Sequence, residues 1–80
     1  MIHIDEISSS SLRKVIKAGN AKSIFKHRYQ GGQVDWGYVS NDGEIFAGYG
    51  ADIDTEIEEM SDLEIVREWD ASEITTEDDA

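Results

Sequence analysis

Residues 23–49 read SIFKHRYQGGQVDWGYVSNDGEIFAGY. Through 24–29, 33–39 and 44–49 the side chains follow a period of two, the pattern of half-buried strands. QGGQ and SNDG separate the runs. Asp42-Gly43 between alternating segments predicts a hairpin, because a primed turn needs positive φ and glycine adopts it with no Cβ in the way. On the middle strand Val34, Trp36 and Tyr38 share a face, and on the next Ile45, Ala47 and Tyr49 share one. The segment therefore predicts a β-meander in which these two rows meet across the hairpin and form half the core.

Working outward, residues 2–7 (IHIDEI) alternate as a strand would. Ser8 to Ser11 then mark a helix start, since a serine hydroxyl caps free backbone N–H groups. Leu12, Val15 and Ile16 form an apolar stripe at i, i+3, i+4, with Arg13, Lys14 and Lys17 opposite. Gly19 supplies a helix stop. A helix over about 10–18 is expected.

On the other side lies DIDTEIEEMSDLEIVREWD, residues 52–70, in which nine of nineteen residues are acidic and Arg67 is the sole base. Thr55 with Glu58, and Ser61 with Glu64, match the capping-box pattern. Ile53, Ile57 and Met60 fit one helical face, whereas Leu63, Ile65 and Trp69 alternate with charge. The favoured reading is a short helix over about 54–60 and a strand over about 63–69; a second helix from Asp62 is the rival. ASEITTEDDA, residues 71–80, offers only Ile74 for burial and is expected to be a disordered tail. The expected architecture is α+β: one domain over 1–70 with a small, mostly antiparallel sheet and one or two short helices on one face.

Eighty residues make one small domain, which buries only about 60% of the surface its unfolded chain exposes. The lack of cysteine removes disulfides, thiolate nucleophiles and Cys-ligated zinc, and fits a reducing compartment. No apolar run approaches the roughly 20 residues of a membrane span, and MIHIDEI lacks the basic and apolar regions of a secretion signal. A cytoplasmic protein is expected. The net charge of −11 repels bare nucleic acid and anionic membranes. It is unevenly spread. Residues 1–30 hold six bases and two acids, while residues 31–80 hold Arg67 and sixteen acids. Such asymmetry points to charged partners.

Recognisable site chemistry is sparse. Asp52, Asp54 and Glu56 have calcium-loop spacing, but the glycine and the bidentate acid of that loop are replaced by Ile57 and Leu63. Gly48 and Gly50 give a GxG fragment that is better explained as a turn, because the following acids repel phosphate. His3 and His27 have no neighbour at metal-ligand spacing and read as ordinary strand residues. No stretch supplies a nucleophile, base and orienting group together. No metal, cofactor or catalytic activity is expected. Tyr29, Trp36, Tyr38, Tyr49 and Trp69 should mostly be core, with one or two exposed as interface anchors. Lys14, Lys17, Lys22, Lys26 and Arg28 form a candidate second surface. Its readings, in order, are a solvated face, contact with the acidic end of a second copy, and a nucleic-acid patch with Tyr29 as a stacking platform.

The acids set the functional expectation. Carboxylates at i, i+4 on a helix or i, i+2 on a strand stand about 6–7 Å apart, and a DNA strand carries one phosphate per roughly 3.4 Å of axis. A folded acidic face thus approaches a nucleic-acid charge track and is drawn to grooves built for nucleic acid. The length, the lack of cysteine, and DIDTEIEEMSDLEIVREWD followed by EDDA resemble small phage-encoded inhibitors, above all the acidic anti-CRISPR proteins. The resemblance is one of overall character. It implies an inhibitor of the crRNA-guided Cascade complex that blocks target DNA binding as a DNA mimic, though the basic first third departs from the purest acidic mimics. From the residues themselves, the expected partner-binding set is Asp52, Asp54, Glu56, Glu58, Glu59, Asp62, Glu64 and Glu68. The alternatives are an antitoxin or immunity-type protein neutralising a basic enzyme, and a small nucleic-acid-binding module using the basic segment.

Overall fold

The meander is present in the computed structural model, which describes residues 1–50 and 52–76. Strands β2 (Ala21–Tyr29), β3 (Gln33–Ser40) and β4 (Ile45–Ala47) pair antiparallel in sequence order. β5 (Thr55–Ile57) adds to β4 and β6 (Glu64–Asp70) adds to β2, giving a five-stranded sheet of order β5-β4-β3-β2-β6. β1 (Ile2–His3) and β7 (Ile74–Thr75) form a separate parallel pair, and α1 spans Ser10–Lys17. The α+β class expected from the sequence is the class observed.

The sheet must curl. Ile57 ends β5 in the row of Ile45, Val39 and Ser23, whereas Glu64 starts β6 opposite Arg28. On a flat sheet those points are about 19 Å apart across the strands and about 17 Å apart along them, roughly 25 Å in all. Residues 58–63 alone make this connection, and a 3₁₀ turn at Met60–Asp62 shortens them. Even fully extended, they reach only about 25 Å. The two sheet edges are therefore drawn toward each other. Met60 and Leu63 pack with Phe25, Ile45 and Ala47 on the concave side.

The convex side holds the larger core: Ile2, Ile4, Ile7, Leu12, Ala21, Ile24, Trp36, Ile53 and Trp69. α1 lies on this side because Leu12 is fully buried beneath it, with Val15 and Ile16 packed alongside. The Ser9 hydroxyl accepts the Leu12 N–H at 3.2 Å, and Gly19 takes positive φ just past the C-terminus. Serine cap, apolar stripe and glycine stop act as the sequence indicates.

Several local expectations are corrected. Residues 2–7 are not one strand: after His3 the chain makes a 3₁₀ turn at Ile4–Glu6, stabilised by a reciprocal cap between His3 and Glu6. The rows Val34/Trp36/Tyr38 and Ile45/Ala47 do not meet. Five residues separate Val39 from its partner Ile45, so odd positions oppose odd ones and Tyr38 faces Phe46. A one-residue change of register moves a whole row to the other face. β4 also stops at Ala47, short of Tyr49. The expected helix over 54–60 is strand β5 followed by the Met60–Asp62 turn. Like charges at i, i+4 (Asp54/Glu58, Glu58/Asp62) weaken such a helix, and β4 gains a hydrogen-bonding neighbour instead. The strand expected over 63–69 is observed as β6, and the rival helix is absent. The tail is ordered as far as it is described. Asp70 and Glu73 cap a 3₁₀ turn, and Ile74 then packs on the convex core beside β1. The rest of the expected tail, residues 77–80, lies outside the described residues.

Candidate functional site

The acidic residues follow the path of the chain around the rim of the curled sheet. Asp52 lies near the start of α1, where the Ser11 hydroxyl donates to it at 3.3 Å. Asp54 leads into β5, and Glu56 lies on that edge strand opposite Phe46. Glu58, Glu59 and Asp62 occupy the connection between the two edges, and Glu64 opens β6, the other edge. All eight expected binding residues are exposed.

They do not form one flat face. Glu64 opposes Arg28 on the convex side, whereas Glu68 opposes Phe25 on the concave side. The extra residue Val66 in β6 sets this change, since Lys26 pairs with Arg67 but His27 pairs with Ile65. The continuous part of the rim is thus 52–64, and Glu68 stands apart from it beyond Arg67.

Counter-charge is nearly absent. Among the described residues Glu64 alone of the eight is in an ion pair, with Arg28 at 3.7 Å. Glu59 accepts from the Ser61 hydroxyl at 3.3 Å. The capping boxes expected at Thr55/Glu58 and Ser61/Glu64 do not form, because no helix follows them. Just past the rim, Asp70 accepts the backbone N–H and the hydroxyl of Ser72, each at 3.0 Å. These bonds, the backbone one foremost, hold its carboxyl below the usual range, and Lys22 adds to the effect.

The chain matches no family model, no curated protein and no solved structure.

The basic residues divide among separate environments. Lys14 and Lys17 lie in the last turn of α1, where cations complement the free carbonyls. Arg28 meets Glu64, and Lys22 lies within electrostatic reach of Asp70. The Lys26 ammonium lies over the Trp36 ring. Among the aromatics, Trp36 and Trp69 are core, while Tyr49 is 42% exposed.

The glycine pair is a bend clamped by Asp35. Its carboxylate accepts the Gly50 N–H at 2.6 Å, and Gly50 takes positive φ. A shallow polar cleft of about 300 Å³ lies beside it, lined by Ser8–Ser11, Asp35, Gly50 and Asp52. Among the described residues no group of histidines and carboxylates could hold a metal, and no helix is long and apolar enough to cross a membrane.

Two features of the structure go beyond what the sequence indicates. His27 lies on a strand as expected, β2, but is fully buried there. Its Nε2–H donates to the Gly48 carbonyl at 2.7 Å, and its ring packs among Phe25, Tyr29 and Tyr49. Its Nδ1 has no hydrogen-bond partner among the described residues. The flanking Lys26 and Arg28 give no hint of this, because the ring is covered by Gly48 and Tyr49 from beyond β4. The second feature is Arg67, set beside Lys26 above two tryptophans. Its standing as the sole base in an acidic run was the available signal.

Proposed function

We propose that this protein is an inhibitor that docks its acidic rim into a basic, nucleic-acid-binding groove of a larger complex and keeps the nucleic acid out. The observation that carries the reading is the placement of Glu58, Glu59 and Asp62. They are exposed, lack cationic partners among the described residues, and project from a taut connection between β5 and β6, the two edge strands of the sheet. Loose acids would serve solubility equally well. Acids on a connection tied at both ends lose less freedom on docking, which favours affinity.

The Cascade complex is the sharper form of the proposal, with this chain as a phage-type anti-CRISPR protein acting in the host cytoplasm. The rim is the portion that would imitate DNA, with carboxylates about 6–7 Å apart where the backbone is extended. Long-range attraction would speed encounter and make it salt-sensitive.

The test is target-DNA binding by purified Cascade in the presence of the protein. Inhibition should weaken steeply between low and physiological salt. It should also be lost in the triple variant Glu58→Lys, Glu59→Lys, Asp62→Lys, with the fold verified by circular dichroism. Full inhibition by that folded variant would refute the rim as the contact. Co-purification from the native host distinguishes Cascade from a basic toxin held by the same acids.

A further inference from the structure

Lys26 on β2 and Arg67 on β6 stand directly opposite each other on the convex face. Trp36 is the partner of Lys26 on β3, and Trp69 is two residues along from Arg67. The Lys26 ammonium is 4.7 Å from the centroid of the Trp36 ring, and the Arg67 guanidinium is 5.0 Å from that of Trp69. The two indoles lie 5.6 Å apart, tilted by 31°. A cleft of about 200 Å³ opens over this cluster, with Met1, Ile2 and Glu6 completing its lining.

Like charges directly opposed on neighbouring strands repel. The chain has eighteen acids and seven bases, yet among the described residues neither Lys26 nor Arg67 is in an ion pair, although Arg28 two positions along is. The indoles hold the cations in place through cation–π attraction. They carry no charge, so they hold the two cations without neutralising them. Glu6 is the one acid in the lining, and one of its carboxylate oxygens already accepts the His3 N–H at 2.7 Å.

We propose that this cleft binds a single phosphate group, free or carried by a small phosphomonoester. Arg67 offers a planar fork of N–H donors that suits two phosphate oxygens, and Lys26 supplies a point charge beside it. The volume is below the roughly 300–1,000 Å³ of pockets that enclose a whole ligand, so the cleft takes a charged group and leaves the rest of the molecule outside. The acidic remainder of the chain disfavours a polyanion here. This inference is independent of the rim: the cleft lies on the opposite sign of charge and uses different residues.

The chain contains two tryptophans, both in this cluster, so fluorescence excited beyond tyrosine absorption reports on these two indoles. The full chain is titrated at low salt with inorganic phosphate and with glycerol 3-phosphate. Sodium chloride and sodium acetate at matched ionic strength are the controls, and a 12-mer single-stranded oligonucleotide is run in parallel. A saturable change with either phosphate, absent with chloride and acetate, is expected. Tighter binding of glycerol 3-phosphate assigns the site to a phosphomonoester; equal binding assigns it to phosphate itself. Lys26→Gln and Arg67→Gln should each weaken binding about tenfold or more, with Arg67→Lys in between and the circular dichroism unchanged. The proposal fails if the controls reproduce the change, if the double variant Lys26→Gln, Arg67→Gln still binds, or if the oligonucleotide alone saturates.

Discussion

Replacing Gly37 with alanine should remove a large part of the stability of this domain. Gly37 is buried on β3 directly opposite Phe25, and the edge of the Phe25 ring lies over its backbone. An added Cβ would overlap the ring and stand 2.8 Å from the carbonyl oxygen of Phe46 on the paired strand β4. Gly37 does not have positive φ, so the backbone accepts alanine and the penalty is steric alone. Overpacking a core costs about 1–3 kcal/mol. Here one of the two obstacles is main chain, which moves only if β3 and β4 part, so about 3 kcal/mol is expected. Glycine replacement lowers unfolded-chain entropy and returns about 0.4–1 kcal/mol, leaving a net loss of about 2 kcal/mol. For a domain of this size total stability is about 4–12 kcal/mol. Urea unfolding followed by tryptophan fluorescence should show a lower midpoint with an unchanged slope. In a Phe25→Ala background, itself about 3–5 kcal/mol less stable, the ring obstacle is gone and Gly37→Ala should cost at least about 1 kcal/mol less. A Gly37→Ala protein within about 0.5 kcal/mol of the parent, or strict additivity in the double variant, would refute the packing argument.

Other variants probe the remaining links. Ser9→Ala removes the hydroxyl that caps Leu12 N–H at 3.2 Å and should lower stability by about 1 kcal/mol, measured by the same unfolding assay. The folded carboxyl of Asp70 titrates below its usual value because of the Ser72 hydrogen bonds. Its stabilisation is complete above the unfolded pKa of about 3.9 and is lost as pH falls through the lower folded value. Urea midpoints taken from pH 6 downward should therefore fall less steeply below about pH 4 in Asp70→Asn than in the parent. Glu56→Val with Glu64→Val and Glu68→Val strips charge from both edge strands. It should produce concentration-dependent association on size-exclusion chromatography while the parent elutes unchanged.

The parts of the fold that were legible in the sequence are those whose signals are local. Asp42-Gly43 between alternating runs marks a hairpin wherever it occurs. The serines 8–11, the Leu12/Val15/Ile16 stripe and Gly19 mark α1, eight residues from Ser10 to Lys17, within one short stretch. The face pairing within the hairpin was not legible, because it depends on whether the loop holds an odd or an even number of residues, and SNDG does not say. β5 was hidden for another reason. Thr55–Ile57 is a strand because β4 has an open edge to cover, and that edge is not visible from the acidic segment. The pairing of β7 with β1 joins segments far apart in the sequence and has no sequence signature at all. The site divides in the same way. Exposure of the carboxylates follows from their chemistry, whereas the meeting of Lys26 with Arg67 depends on one extra residue, Val66, in β6.

The structure also separates two duties that the sequence presents as one acidic run. An open strand edge is a template for unwanted pairing, and charged side chains on it prevent that. β5 and β6 are both open edges, so Glu56, Glu64 and Glu68 have a reason to exist in any protein of this fold, with or without a partner. Glu58, Glu59 and Asp62 do not. They lie on a connection that presents no ladder, they cap no helix, and among the described residues none of them meets a cation. Their mutual repulsion works against folding, since Glu58 and Glu59 are adjacent and Asp62 follows within one turn. Edge protection accounts for the first set, and solubility requires no particular placement of the second. A binding groove does require placement, because it is met by whichever part of the rim stands out between the two drawn-together edges. The weight of the inhibitory reading therefore rests on three carboxylates and not on the net charge of the chain.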